Sequence, residues 1–204
     1  MKQHEFQNES GRMMVSDPAY SVPTWCQGAV KVKTGAWVAM PIFHEGRVAA
    51  LMVYHKETMD NNPSEWEELK YLTNNELPYN FGVDSGQLGF FDEKYYRDDN
   101  SVKDLPAATF GENYDKEAGD FWYRVVCQQT LRQINDTYAN FGGIPTGCVS
   151  SSGWGDGSYP VYGVKMDDEY YGFLAEFIYV DGDIEEVTNE FGEQELQYVN
   201  VEEI

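Results

Sequence analysis

Beyond Lys165 the sequence carries no lysine or arginine at all, and the whole chain has 14 basic residues against 35 acidic ones, a formal net charge of -21. A field of that sign repels phosphate backbones and anionic lipid, which argues against direct binding to nucleic acid or to a membrane surface. No apolar run approaches the roughly 18 residues of a membrane span, and Met1-Lys2-Gln3-His4-Glu5-Phe6 lacks the apolar core of a signal peptide, so a cytoplasmic protein is expected. Cysteines are scarce too. Cys26, Cys127 and Cys148 have neither the paired spacing of a zinc site nor an even count for a disulfide framework, and read as reduced, mostly buried thiols. His4, His44 and His55 are too few and too scattered to hold a metal.

Signature motifs are missing as well. Gly153, Gly155 and Gly157 do not meet the dinucleotide pattern, because Ser158 stands where its third glycine belongs. Asp181-Gly182-Asp183 begins like a calcium loop, but Glu186 takes the glycine position and Gly192 the place of the bidentate glutamate. Ser150, Ser151 and Ser152 lack a nucleophile-elbow frame, and Cys26 beside His44 or His55 is no more than a nominal nucleophile pair. No cofactor is implied.

What is present suits a packed domain. With 42% apolar and 15% aromatic residues the chain can bury a substantial core, expected as one domain over 13–204 behind a polar, mobile tail at 1–12. Met13–Ser16 reads as a strand stopped by Asp17-Pro18, and Ala36–Phe43 with Val48–His55 as a hairpin turning through His44-Glu45-Gly46-Arg47. Asn62–Leu69 carries a helix-start pattern, and Tyr79–Asp84 with Gln87–Asp92 reads as a second strand pair turning at Ser85-Gly86. Residues 98–117 lack periodicity and read as a long loop. The main helix is expected over 116–134, with Tyr123, Cys127, Leu131 and Ile134 on its buried face and Trp122 and Val126 beside them. Thr146–Ser151, Tyr159–Lys165 and Tyr170–Val180 read as strands, with an edge hairpin around Phe191-Gly192. No internal repeat stands out. Short links favour antiparallel pairing, so the fold class is α+β: a predominantly antiparallel β-sheet or sandwich with one main helix.

The most distinctive segment is Ser150-Ser151-Ser152-Gly153-Trp154-Gly155-Asp156-Gly157-Ser158-Tyr159, a glycine-rich loop entering an aromatic strand. Its glycines permit a tight turn or the close approach of a ligand. Asp17, Asp84 and Asp156 each sit at a strand end beside a turn residue. They read either as turn caps or, if the fold unites them, as an acid–base or cation-binding group. Tyr159, Tyr162, Tyr170, Tyr171, Phe173, Phe177 and Tyr179 crowd the C-terminal strands, and those on an outward face would form an aromatic patch. Asp181, Asp183, Glu185 and Glu186 lie in the base-free region, as a solvated face or a dock for a basic partner.

Val15-Ser16-Asp17-Pro18-Ala19-Tyr20, Thr24-Trp25-Cys26, Gly82-Val83-Asp84-Ser85-Gly86-Gln87 and Ser151–Tyr162 together resemble a family from bacteria and their phages, catalogued as domain of unknown function 4241. The resemblance implies a bacterial or phage origin and no particular catalytic residue. Ala19 stands where that family's first block commonly has cysteine, which weighs against thiol chemistry there. The candidate ligand- or partner-contacting residues are therefore Asp17, Tyr20, Asp84, Ser85, Gln87, Trp154, Asp156, Ser158 and Tyr159, with Asp181, Asp183, Glu185 and Glu186. Two functions remain open: a non-catalytic binding or inhibitor protein, of anti-defence or immunity type, that meets a basic protein partner, or a small-molecule enzyme, such as a hydrolase, built on Asp17, Asp84 and Asp156.

Overall fold

The computed structural model describes residues 1–57, 76–111, 118–134 and 137–201. The polar opening segment, expected as a mobile tail, contains a strand instead: β1 (His4–Asn8) pairs with β4 (Gly35–His44) and buries Phe6. The expected hairpin is β4 with β5 (Arg47–His55), and Glu45 and Gly46 at its turn both have positive φ (49° and 75°), as a two-residue turn matched to strand twist requires. β13 (Val161–Met166) and β14 (Glu169–Glu176) form a second hairpin, and β15 (Asp183–Thr188) with β16 (Gln194–Val199) a third. These strands make one sheet in the order β13-β14-β5-β4-β16-β15, with β1 beside β4.

β16 joins β4 in parallel, at Ile42 and Phe43, whereas β1 runs antiparallel along Gly35–Ala39 of the same strand. Pro41 falls between these two paired stretches, where its missing N–H costs no ladder bond. The apolar run of β4 does not alternate with polar residues, because both of its faces are buried. Trp37, Ala39 and Phe43 enter one core cluster; Val38, Met40 and Ile42 enter another.

The second sheet has the order β10 (Phe141–Ile144), β11 (Gly147–Ser151), β7 (Gln87–Asp92), β2 (Arg12–Ser16) and β3 (Gly28–Lys31). Met13, Val15, Phe90 and Cys148 from this sheet pack with Trp37, Leu51, Val53 and Phe173 from the first, so the two form a sandwich. On its outer face lies α1 (Asp120–Leu131). The chain is thus an α+β fold of mostly antiparallel strands with one main helix among the described residues.

The helix is shorter than expected. Trp122, Val125 and Val126 are its buried anchors, with Trp122 edge-on to Phe91 at 4.9 Å and to Tyr96 at 5.0 Å. Cys127 is buried, but Leu131 is 44% exposed because the helix ends there, and Ile134 belongs to β8 (Gln133–Ile134), paired with β9 (Thr137–Tyr138). The buried face therefore keeps Trp122, Val126 and Cys127 of the expected set and stops short of Leu131. A second correction concerns β6 (Phe81–Val83), which does not form a hairpin with β7. It pairs with β12 (Gly157–Tyr159), while β7 is sandwiched between β11 and β2. The helix-start pattern at Asn62 lies outside the described residues. Asp99–Val102, inside the expected loop, forms a 3-10 turn, and Asp99 accepts the Trp122 N–H at 2.7 Å, capping α1 from outside.

Candidate functional site

Asp17 explains why β6 and β7 part. It is fully buried at the end of β2, and its Oδ2 accepts the backbone N–H groups of Asp84 (2.8 Å) and Ser85 (2.7 Å). Its Oδ1 accepts the Ser85 hydroxyl and the Ala19 N–H, both at 2.7 Å. Four protein donors therefore occupy this carboxylate, and the three from Asp84 and Ser85 hold the turn that precedes β7. Asp84 itself is exposed and accepts the Tyr20 hydroxyl at 2.9 Å. The Tyr20 phenol lies above the usual tyrosine range, chiefly through burial and then through hydrogen bonding with Cys26 and Asp84. It holds its proton and acts as a donor.

The same device occurs a second time. Asp92, fully buried at the end of β7, accepts the N–H groups of Glu9 (2.6 Å) and Ser10 (3.1 Å) with Oδ2, and that of Lys94 (3.0 Å) with Oδ1. These hold the turn that precedes β2. The Tyr95 hydroxyl donates to Glu9, as the Tyr20 hydroxyl does to Asp84. Gly11 and Gly86, each just before its strand, have φ of 71° and 69°. Aligning Glu9–Tyr20 with Asp84–Tyr95 superposes Ser10 on Ser85, Gly11 on Gly86, Asp17 on Asp92 and Tyr20 on Tyr95. In the β2–β7 register the equivalent residues Val15 and Phe90 face each other, so a local two-fold axis passes between them. An internal repeat thus exists, contrary to the expectation from sequence, and each half is clamped by the aspartate of the other.

The glycine-rich loop attaches to one half of this unit. The Ser152 N–H donates to the Gly86 carbonyl at 3.0 Å, and the Ser152 hydroxyl to the Gly155 carbonyl at 2.8 Å. The Tyr159 hydroxyl reaches the carbonyls of Ser152 (3.0 Å) and Gly155 (2.8 Å), and its ring meets Phe177 edge-on at 5.2 Å. Gly153, at φ 57°, lies so close to Ile178 and Phe177 that a Cβ there would fall 2.8 Å and 3.0 Å from their side chains. Trp154 is 66% exposed with the Arg47 guanidinium 4.4 Å above its ring, and Arg47 also donates to the Gly153 carbonyl at 3.3 Å. Tyr179, 71% exposed, follows Ile178. Two outward aromatics therefore flank one contact.

The remaining candidates divide. Asp156 is exposed, and the β6–β12 register carried one residue beyond Val83↔Gly157 sets it across from Asp84. Ser158 bonds to Asn80 on the surface. Gln87 is buried, its amide donating to the Cys127 sulfur at 3.5 Å, and burial pushes that thiol up to about 11. Asp181, Asp183, Glu185 and Glu186 stand apart from this network, on the edge strand β15 and just before it, all exposed. Cys26 neighbours Tyr20, while His55 bonds to the Thr34 carbonyl at 3.0 Å. Among the described residues no group of histidine, cysteine and carboxylate side chains is placed to hold a metal ion, and no helix is long and apolar enough to cross a membrane. Sequence reasoning missed Glu9, Asp92 and Tyr95, and the signal that could have found them is the shared Ser-Gly, Asp and Tyr spacing.

A family model described as protein of unknown function, DUF4241, matches residues 6–173. The chain belongs to this family. Both halves of the clamped repeat and the glycine-rich loop fall inside the DUF4241 match, whereas Tyr179, β15 and β16 follow it. No curated protein and no solved structure matches the chain.

Proposed function

We propose that this protein is a non-catalytic binding protein, of bacterial or phage origin and of anti-defence or immunity type, that meets a basic protein partner through an acidic, aromatic surface. The observation that carries the reading is the duplication of the clamp. Because Asp92, Glu9 and Tyr95 repeat the arrangement of Asp17, Asp84 and Tyr20 on another side of the unit, a structural role for Asp17 and Asp84 is favoured over an acid–base one. An enzyme built on Asp17, Asp84 and Asp156 would have to free Asp17 from four donors. Outward signals then remain at Trp154 and Tyr179, with Asp156 two residues beyond the first and Asp181 two beyond the second. Aromatic side chains of this kind are favoured anchors in interfaces, and a surrounding acidic field speeds encounter with a basic partner.

The test begins with capture of a partner from the native host, followed by on- and off-rates over a salt series. Trp154→Ala with Tyr179→Ala should weaken the complex by more than about tenfold, mostly in the off-rate. Lysine at Asp181, Asp183, Glu185 and Glu186 should slow association and flatten its salt dependence. A partner held equally well by wild type and both variants would overturn the proposal.

A further inference from the structure

The other half of the repeat opens onto a basic cavity. Beside Gly11 lies a space of about 510 Å3 lined by Ser10, Arg12, Lys31, Lys33, Thr34 and Glu169. We propose that this cavity binds a small molecule bearing phosphate or clustered carboxylate groups. In a chain of net charge -21, three cations share one concave surface. Arg12 is braced by Glu93 and by the Ala29 carbonyl, and Lys31 by Glu169 at 3.3 Å. The Lys33 ammonium lies 6.0 Å from the Tyr171 ring centre, with no carboxylate ion-paired to it among the described residues. Among the lining side chains three cations thus stand with one carboxylate, Glu169, while Glu93 pairs with Arg12 and the buried Asp92 is bonded to the Ser10 N–H.

Screening decides whether the distant acid cancels this local excess. At physiological ionic strength the Debye length is about 8 Å, so a small anion inside the cavity responds chiefly to its immediate neighbours. A long polyanion would extend into the negative field around the cavity, which restricts the ligand to a small one. The space lies within the roughly 300–1,000 Å3 of small-molecule sites. The backbone amides of the Glu9–Gly11 turn are already occupied, since Asp92 takes the N–H groups of Glu9 and Ser10, and Asn8 takes that of Gly11 at 2.9 Å. Recognition therefore falls chiefly to side chains: the Arg12 fork, two lysine ammoniums and the Thr34 hydroxyl. This site does not depend on the partner surface, which uses Trp154 and the β15 edge.

The experiment is a titration of 15N-labelled protein with sodium pyrophosphate and, separately, with citrate at matched ionic strength. Saturable amide shifts centred on Gly11, Lys31, Lys33 and Thr34 are expected. Response to pyrophosphate alone assigns a phosphate ligand, to citrate alone a polycarboxylate, and to both a general oxyanion site. Lys33→Met leaves both bracing ion pairs intact and should weaken binding roughly tenfold, the equivalent of one charge-assisted contact. Lys31→Met with Lys33→Met should abolish it, and if that double variant fails to fold, the single one decides. The proposal falls if neither anion gives saturable shifts at these residues, or if Lys33→Met binds as tightly as wild type.

Discussion

Replacing Asp17 by Asn keeps the side chain's shape and ruins its chemistry, since an amide offers one acceptor oxygen and turns its NH2 toward groups that are themselves donors. Asp17→Asn should therefore cost about 3 kcal/mol or more in urea unfolding, because the buried side chain loses its charge-assisted bonds to the N–H groups of Asp84 and Ser85. Asp92→Asn should cost a similar amount, while Asp156→Asn, at an exposed position, should stay within about 0.5 kcal/mol. A cheap Asp17→Asn would remove the clamp and reopen Asp17 as a reactive group. Turn aspartates at Asp17 and Asp84 were legible because each stands beside Pro or Ser-Gly at a strand end. Asp92 sits in the same position chemically, but Glu93-Lys94 after it carries no turn signature, so only its spacing from Ser85-Gly86 betrays the role.

Among the elements, the hairpins with short turns were readable, since Glu45-Gly46 and Met166–Glu169 punctuate long β-branched and aromatic runs. Adjacency misled at Ser85-Gly86, where a turn that looks like a hairpin is held by a buried carboxylate from another strand. The helix face was readable at Trp122, Val126 and Cys127, all buried, whereas its C-terminal limit was not, since Leu131 is exposed and Ile134 lies in β8. The glycine-rich loop supports a graded test. Gly153→Val combines left-handed strain with a clash against Ile178 and should lower stability by about 2–4 kcal/mol. Gly157→Ala meets only the tip of the Tyr159 side chain and should remain within about 1 kcal/mol. Equal melting temperatures for the two would show that the Gly153–Ile178 contact does not fasten the loop.

At the scale of the molecule, charge dominates. A net charge of -21 makes the folded state repel itself, and the ion pairs that involve Arg12, Lys31, Lys56 and Lys94 lie at exposed positions where they contribute little. Raising salt from 10 to 150 mM shortens the screening length from about 30 Å to about 8 Å, and calorimetry should show the melting temperature rising across that range. A falling melting temperature would mean that the ion pairs outweigh the repulsion. The sandwich class followed from strand spacing and turn chemistry. The parallel seam of β16 on β4 did not, because it is set by where the chain crosses the sheet between β14 and β15 and no local pattern encodes that crossing.

The two clamps also say something about the order of events when the chain folds. Each joins segments far apart in sequence, 67 and 68 residues for Asp17 and 83 and 82 for Asp92. Closing loops of that length costs roughly 4 kcal/mol in chain entropy, and a carboxylate can meet two amides only once both strands are in register. The clamps are therefore expected to form after the rate-limiting barrier and to act as latches on the way out. Asp17→Asn and Asp92→Asn should leave refolding rates nearly unchanged and accelerate unfolding, so the aspartates set how long each molecule stays folded.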